Sequence, residues 1–305
     1  MSELSAAMSQ AMSWRLDVKG AEVRAALGTA GVPCLLLKGR AFAALFYADG
    51  APRHYGDCDL LVPVTSLGQA QAVLRDLGFH SVDGTTHARG WHRRDDGVLI
   101  DLHHTLPLVD TDPERVWAAL SARAATLSVG GAPTRVLDPP AAALLAALHL
   151  VHHGPSAASP RRDLSRAIDQ LDDDGWRQAA DLALELGGLE ALGTGLRLLP
   201  TGTALADRLA LAWAPSPRVL LNWNQAPWGA TVWEDLASAP TTRARAVLLA
   251  RFLSPDPDFL RERSVLARRG HCGLLAAYLL RPFLLTSKAL LSFGSWRRAR
   301  RDQPL

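Results

Sequence analysis

Apolar and polar positions in the first 138 residues alternate between a pattern typical of buried strands and one typical of helices. Residues 14–31 carry apolar side chains at helical spacing, which predicts an opening helix. The continuous apolar run at 34–37 predicts a short buried strand. A Lys-Gly turn at 38–39 then leads into a second predicted helix over residues 40–50.

A second strand and two hairpins are predicted further along this part of the chain. The apolar run at 58–64 is the second buried strand, and residues 66–79 form an amphipathic helix. Residues 88–106 predict a hairpin, because Asp-Asp-Gly at 95–97 favours a tight turn. Residues 126–140 predict a smaller hairpin about a Gly-Gly pair.

The pattern changes near residue 139. From there on, helical spacing interrupted by Gly and Pro predicts successive helices and no strand. We interpret the chain as an α/β (α+β) protein, with a mixed β-sheet flanked by helices over residues 1–138 and an all-helical domain over 139–305. The length of 305 residues favours two domains over a single core.

Three aspartates lie at predicted strands and form the main candidate site. Asp57 and Asp59 are two residues apart, so their side chains project from one face of the second predicted strand. Their carboxylates repel each other unless a cation lies between them, and hard oxygen ligands select Mg²⁺ or Mn²⁺. The alternative is that both are solvated or paired with Arg53. Asp101, on a later predicted strand, favours the metal site because a two-metal centre needs a third acid.

The Lys38-Gly39 turn between strand and helix is the second candidate feature. Backbone N–H groups, the positive end of a helix and one ammonium group favour an anion there. The alternative is a plain strand-to-helix turn. Together with the downstream acids, the turn predicts metal-assisted chemistry on a phosphate ester.

The same residues carry a family resemblance. In chain order they are Lys38, Gly39, Tyr47, Arg53, Gly56, Asp57, Asp59, Asp101 and His103. This pattern resembles the DNA polymerase β-type nucleotidyltransferase superfamily and, more closely, a bacterial nucleotidyltransferase family within it. The resemblance covers roughly residues 30 to 200 and implies a nucleotidyltransferase palm domain followed by a helical domain.

The resemblance also implies an activity. Members transfer a nucleoside monophosphate from an NTP to an acceptor and release pyrophosphate. It implies that Asp57, Asp59 and Asp101 are catalytic residues that bind two Mg²⁺ or Mn²⁺ ions, with Asp101 also helping to deprotonate the acceptor. The acceptor itself, a small molecule, a peptide or a protein, is not identified by the pattern.

A second set of residues is implied to bind the nucleotide: Lys38, Gly39, Arg40, Arg53 and His103. Many superfamily members have Ser where this chain has Arg40, so the group that binds the terminal phosphates stays open. Arg53 either binds phosphate through its guanidinium or forms a salt bridge with Asp57. His103 either orients the substrate or a carboxylate, or is a structural histidine.

Several histidines lie in the predicted helical half. His149, His152 and His153 follow helical spacing and share a helix face. The resemblance suggests that His149 and Asp163 contact either the acceptor, on the acceptor side of the site, or the palm domain. The alternative is a separate transition-metal site formed by these histidines with Asp163.

Charge and cysteine content narrow the range of partners. A net charge of +3 gives the chain no strong nucleic-acid footprint, so no duplex nucleic acid is expected. Three scattered cysteines support neither a disulfide framework nor a zinc site, and a reducing cytoplasm is expected. Besides an active transferase, the sequence permits a catalytically inactive nucleotide-binding or interaction module of the same fold.

The C-terminal segment raises a third hypothesis, peripheral contact with a membrane. Residues 295–305 contain four arginines, next to an apolar stretch at 272–293 that Arg281, Pro282 and Lys288 interrupt. These interruptions disfavour a spanning helix, and we expect buried helices there. Docking of the basic tail on anionic lipid is the alternative.

Overall fold

A computed structural model of the protein describes residues 3–302 apart from 48, 228, 256, 258–259 and 262–263. It contains two compact units. Unit 1 comprises residues 1–151 and 155–212, and unit 2 comprises residues 152–154 and 213–305.

Unit 1 contains a seven-stranded sheet in the order β3-β4-β5-β2-β1-β7-β6. Its strands are β1 (Leu35–Leu36), β2 (Cys58–Leu61), β3 (His80–Gly84), β4 (Ala88–Arg93), β5 (Val98–His103), β6 (Ala125–Val129) and β7 (Ala132–Val136). Strand β2 runs parallel to β5 and antiparallel to β1, and β1 runs parallel to β7, so the sheet is mixed as predicted. Both predicted hairpins, β4–β5 and β6–β7, are confirmed.

Helices cover the sheet and extend unit 1 beyond it. They are α1 (Glu3–Thr29), α2 (Arg40–Phe46), α3 (Leu67–Asp76), α4 (Pro113–Ala122), α5 (Pro139–His153), α6 (Ala158–Gln170), α7 (Asp173–Glu185), α8 (Leu189–Arg197) and α9 (Pro200–Arg208). Apolar side chains of α1 and α3 pack with Leu60, Trp91 and Ile100 of the sheet in one buried cluster. The central strands are therefore enclosed, and polar groups on them need partners.

The sequence predictions differ from the structure in two boundaries and lack two elements. The strand predicted at 58–64 ends at Leu61, because Pro63 has no N–H for the ladder and begins a short 3₁₀ turn at Val64–Ser66. The opening helix starts at Glu3, earlier than the predicted residue 14. Strand β3, a polar edge strand, and helix α4 were not predicted.

The described residues beyond 138 are helical, as predicted. Residues 139–151 of α5 and the helices α6–α9 nevertheless belong to the same unit as the sheet. The domain boundary at 138/139 therefore marks a change of secondary structure, and its role as a folding boundary stays a prediction.

Unit 2 consists of α10 (Pro217–Trp223), α11 (Gly229–Ser238), α12 (Thr242–Leu253) and α13 (Gly270–Arg301) in its described part. Among the described residues, no single helix is long and apolar enough to cross a membrane. The segments Gly270–Thr286 and Lys288–Arg301 of α13 reach that length and composition only together, with a bend of 41°. The expectation of buried helices over 272–293 is wrong, because much of the apolar surface of α13 is exposed.

Candidate active site

The centre of the candidate site is formed by two adjacent parallel strands. In the register of β2 and β5, Asp59 lies opposite Asp101, and Leu61 lies opposite His103. Asp59, Asp101 and His103 each offer a ligand atom, and these atoms lie within 4.8 Å of one another. Among the described residues this is the only such group of three or more potential metal ligands. The sheet thus brings together two of the three predicted acids and the predicted histidine.

Lys38 connects this acidic centre to the helical part of unit 1. Its Nζ lies 3.0 Å from Oδ1 of Asp59 and 3.1 Å from Nε2 of His149 on α5. The same Oδ1 lies 3.2 Å from Nε2 of His103. Asp59 is almost fully buried, and a buried carboxylate needs such partners to remain ionised. All four residues were candidates from the sequence, and contact of His149 with the palm was one alternative, but no local pattern paired it with Lys38, 111 positions away.

The charges of the centre shift its acids in opposite directions. Burial alone would raise the pKa of Asp59, but Lys38 and His103 stabilise its carboxylate and hold that pKa well below the usual range. The negative charge of Asp59, with burial, raises the pKa of Asp57 to about 6 against the opposing charge of Lys38. Burial and Asp59 likewise raise the pKa of Asp101. The carboxylate of Asp59 is therefore firmly ionised, whereas the ionised forms of Asp57 and Asp101 are destabilised.

Asp57 precedes β2 rather than lying on it, and it is outside the close group of ligand atoms. The negative charge of Asp59 nevertheless lies close enough to raise the pKa of Asp57. Mutual repulsion of this kind is relieved by a cation.

The donor set fits a divalent metal ion. Carboxylate oxygens with one imidazole nitrogen suit Mn²⁺, and the carboxylates alone suit Mg²⁺. In addition, Nδ1 of His103 is buried without a hydrogen-bond partner in the structure, which leaves the ring incompletely satisfied.

The predicted glycine turn follows β1 directly. Gly39 has a φ of 63° and a ψ of −120°, a conformation that side-chain-bearing residues rarely adopt. A Cβ at this position would lie 3.4 Å from the ring of Tyr55. Helix α2 after the turn has only seven residues, and Arg40 at its start is exposed to solvent.

Arg53 forms a salt bridge that sequence reasoning did not foresee. Its Nε and Nη2 donate to the two carboxylate oxygens of Asp163 on α6, each at 2.8 Å, and its Nη1 donates to the carbonyl of Gly39 at 3.2 Å. The pairing found is thus with Asp163, and not the considered salt bridge with Asp57. Tyr47 also donates to Asp163 at 2.8 Å. This contact explains why Tyr47 is part of the family motif.

The histidines of α5 do not form the considered transition-metal site. The carboxylate of Asp163 is fully buried and is bound by Arg53 and Tyr47. Nδ1 of His152 lies 3.2 Å from Oδ1 of Asn222. The acceptor-side roles of His149 and Asp163 stay predictions. A signal for Asp163 existed in the sequence, because it precedes Leu164 on the apolar face of an amphipathic helix.

A cavity of about 150 Å³ adjoins the glycine turn. It is lined on one side by the start of α1 and on the other by the segment that leads to β2. The lining includes Gln10, Trp14, Arg40, Tyr47, His54 and Tyr55. Aromatic faces and cationic groups thus lie together in the lining of the cavity, and Arg40 among them directly follows the turn.

Fold and site together define a nucleotidyltransferase-like protein, with acids on adjacent strands and a lysine-glycine turn beside them. The family described as uncharacterised nucleotidyltransferases matches residues 3–201, more than half of the chain, and the chain belongs to this family. The resemblance inferred from the motif is confirmed at this level, and membership of a bacterial branch stays a prediction. The nucleotidyltransferases are enzymes, which agrees with the predicted class. A comparison with curated proteins finds no match.

The chain also has a weak likeness to several solved structures. The antibiotic-resistance factor ANT(2'')-Ia shares 17% identity and a TM-score of 0.39, over 66% of this chain and 95% of that one. A nucleotidyltransferase-like protein from Paracoccidioides brasiliensis shares 17% identity and a TM-score of 0.41, over 63% and 92%. The lincosamide adenylyltransferase LnuA shares 15% and 0.34, over 48% and 91%. At these values the likeness supports no inference about substrate.

Proposed function

We propose that the protein transfers a nucleoside monophosphate from an NTP to an acceptor and releases pyrophosphate. The observation that carries this proposal is the cross-strand pair Asp59 and Asp101, with Lys38 bound to Asp59, in a chain of a nucleotidyltransferase family. Phosphoryl-type transfer depends mainly on positioning and on neutralisation of charge. Paired acids beside a buried ammonium supply both.

The acids of the centre would hold Mg²⁺ or Mn²⁺, as two ions bound by Asp57, Asp59 and Asp101, with His103 as a further ligand to the softer ion. When bound, the metal supplies neutralisation of phosphate charge. The chain's own groups then have separate tasks. Lys38, fixed by Asp59 and His149, presents its ammonium to the triphosphate.

Asp101 is the group that we assign to proton removal. Its carboxylate lies opposite Asp59 on the adjacent strand, at the centre where the acceptor hydroxyl would approach. The acceptor oxygen bonds to the α-phosphorus, and the bond from that phosphorus to its bridging oxygen breaks. Pyrophosphate leaves with the bond electrons, and the acceptor proton passes to Asp101.

We assign the nucleoside to the cavity beside the turn. Gly39 places the start of α2 next to this cavity, so phosphates at the turn would direct the base towards Trp14 and Tyr55. Aromatic faces bind bases by stacking. We propose that the acceptor is a small molecule, a peptide or a protein. We also propose that the protein is located in the cytoplasm.

Pyrophosphate release is the direct test. The purified protein is incubated with each of the four NTPs, Mg²⁺ or Mn²⁺ and candidate acceptors, and Asp57→Ala/Asp59→Ala serves as the inactive control. We expect metal-dependent release from the native protein only. Tight NTP binding without any release, across an acceptor screen, would instead support an inactive nucleotide-binding module.

A further inference from the structure

The long helix α13 carries an apolar surface that the described residues of its own unit leave exposed. Its exposed apolar side chains have half or more of their surface open to solvent: Leu275, Leu279, Leu280, Phe283, Leu284, Leu290 and Leu291. At 3.6 residues per turn they lie on one broad side of the helix. Contiguous exposed apolar surface of this kind is unusual on soluble proteins and marks a contact site.

The opposite side of α13 is the one that packs within unit 2. Leu285, Ser292 and Ala299 are buried at intervals of seven residues. Trp233 of α11 donates to the carbonyl of Ala289 at 3.0 Å. The packed side therefore fixes the helix, and the apolar side chains named above face solvent.

The charged side chains in and just before α13 are all positive. Between residues 264 and 301 the sequence contains eight Lys or Arg residues and no Asp or Glu. Four of the arginines also have partners within the unit: Arg268 donates to the carbonyl of Arg261, Arg281 to the carbonyl of Phe252 and Arg298 to Oγ of Ser295, and Arg300 pairs with Glu234. Arg268 and Arg269 precede the helix, and Arg297 and Arg298 lie in its last turns, so cations flank the apolar surface at both ends.

We propose that this face of α13 docks on an anionic lipid surface. The apolar side chains enter the boundary between headgroups and acyl chains, and the flanking arginines bind lipid phosphates, as in interfacial amphipathic helices. A second copy of the chain is a poorer partner, because pairing two such faces brings together cations that no acid on this segment balances. A spanning arrangement would place Arg281 and Lys288 in hydrocarbon at high cost.

The proposed lipid-binding surface is the exposed side of α13, and not the basic tail at residues 295–305 alone. Deletion of residues 295–305 would remove Arg300, whose partner Glu234 is buried and also accepts from Trp296. Such a deletion would disturb packing and lipid contact together. Substitutions on the exposed side separate the two.

Co-sedimentation of the full chain with vesicles tests the proposal. Vesicles of phosphatidylcholine alone are compared with vesicles containing phosphatidylglycerol, at low salt and at high salt. We expect binding to the anionic vesicles that high salt reverses. Arg297→Gln/Arg298→Gln should weaken this binding about 30-fold, from the usual contribution of each cation near a charged surface.

An apolar variant and a matched control complete the experiment. Phe283→Ser/Leu290→Ser/Leu291→Ser should lose at least about tenfold in binding, while Leu184→Ser, at an equally exposed leucine on α7, should bind as the native protein does. Circular dichroism and thermal melting check that each variant is folded. Absence of binding, equal binding to neutral vesicles, or binding that high salt does not reverse would each overturn the proposal. Concentration-dependent dimers that the apolar variant abolishes, without lipid binding, would assign the face to a second copy.

Discussion

Arg53 and Asp163 form a buried, two-point salt bridge across 110 positions of sequence, with both N···O distances at 2.8 Å. Arg53 lies just upstream of the acidic centre, and Asp163 lies on α6. Because Arg53 also donates to the carbonyl of Gly39, the bridge links the glycine turn to the helices that follow the sheet. We infer that Arg53 and Asp163 act as positioning residues for the turn.

Removing one member of this pair should be strongly destabilising. Asp163→Asn leaves the buried guanidinium without a counter-charge, and we expect a loss of about 3–5 kcal/mol in the free energy of unfolding. Arg53→Met/Asp163→Leu removes both charges, and its loss should be smaller than the sum of the single losses. Urea denaturation measures all three.

The exposed pair Arg177 and Asp174 provides the control for this prediction. Asp174→Asn should change the free energy of unfolding by no more than about 1 kcal/mol. If Asp163→Asn behaves like Asp174→Asn, the Arg53–Asp163 bridge does not organise the turn.

Gly39→Ala should be destabilising because of the backbone at the turn. A positive φ of this kind costs about 1–3 kcal/mol for a residue with a Cβ, and the added methyl would only reach van der Waals contact with Tyr55. Gly28→Ala is the matched control. Gly28 lies in α1 with open space around it, so alanine there should stabilise by about 0.5 kcal/mol. Thermal melting of both variants tests this prediction, and Gly39→Ala should melt at the lower temperature. Equal melting temperatures would contradict the account of the turn.

Asp57→Asn should stabilise the metal-free protein in a pH-dependent way. The folded pKa of Asp57 is about 6, above its model-peptide value, so the native state binds more protons between about pH 4 and 6. Its contribution to stability is therefore lost as pH rises through that window. Well above pH 6 the variant should be more stable by on the order of 3 kcal/mol, and below pH 4 the two should be equal.

Adding Mg²⁺ should stabilise the native protein more than it stabilises Asp57→Asn. With a chelator replaced by Mg²⁺, the native protein should gain more stability than Asp57→Asn, because the metal binds the folded state through this carboxylate. Asp95→Asn, in the exposed turn of the β4–β5 hairpin, controls for the loss of one negative charge. An equal gain from Mg²⁺ in native protein and Asp57→Asn would exclude Asp57 as a ligand.

Trp14→Ala should weaken nucleotide binding without changing the chemical step. Loss of one stacking face costs about 1–3 kcal/mol, so we expect KM for the NTP to rise about tenfold or more at unchanged kcat. Met12→Ala, an equally exposed residue on α1 that does not line the cavity, should leave KM unchanged. A fall in kcat with unchanged KM would place the nucleoside elsewhere.

The strands of the centre could be predicted because local patterns determine them. Apolar runs located β2 and β5, and the Asp-Gly turn fixed the hairpin that carries Asp101. Edge strand β3 was missed because His80–Gly84 contains only one large apolar residue, Val82, and no alternation. Its polar composition suits an edge position.

Long-range pairings could not be predicted from the same patterns. Arg53 and Asp163, and Lys38 and His149, meet only because α5 and α6 fold back towards the sheet. No local periodicity encodes which of several possible acids a buried arginine selects. The exposed face of α13 was mistaken for core for a related reason, since apolar spacing alone does not tell buried surface from surface that binds a partner.

Equilibrium binding of NTPs tests the central claim most directly. Titration calorimetry with each NTP and Mg²⁺ or Mn²⁺ is carried out on the native protein, on Asp59→Asn/Asp101→Asn and on the exposed control Asp95→Asn. The account predicts metal-dependent binding of at least one NTP to the native protein and to Asp95→Asn, and its loss in the double variant. Absence of NTP binding with either metal, or binding that the double variant retains, would contradict it.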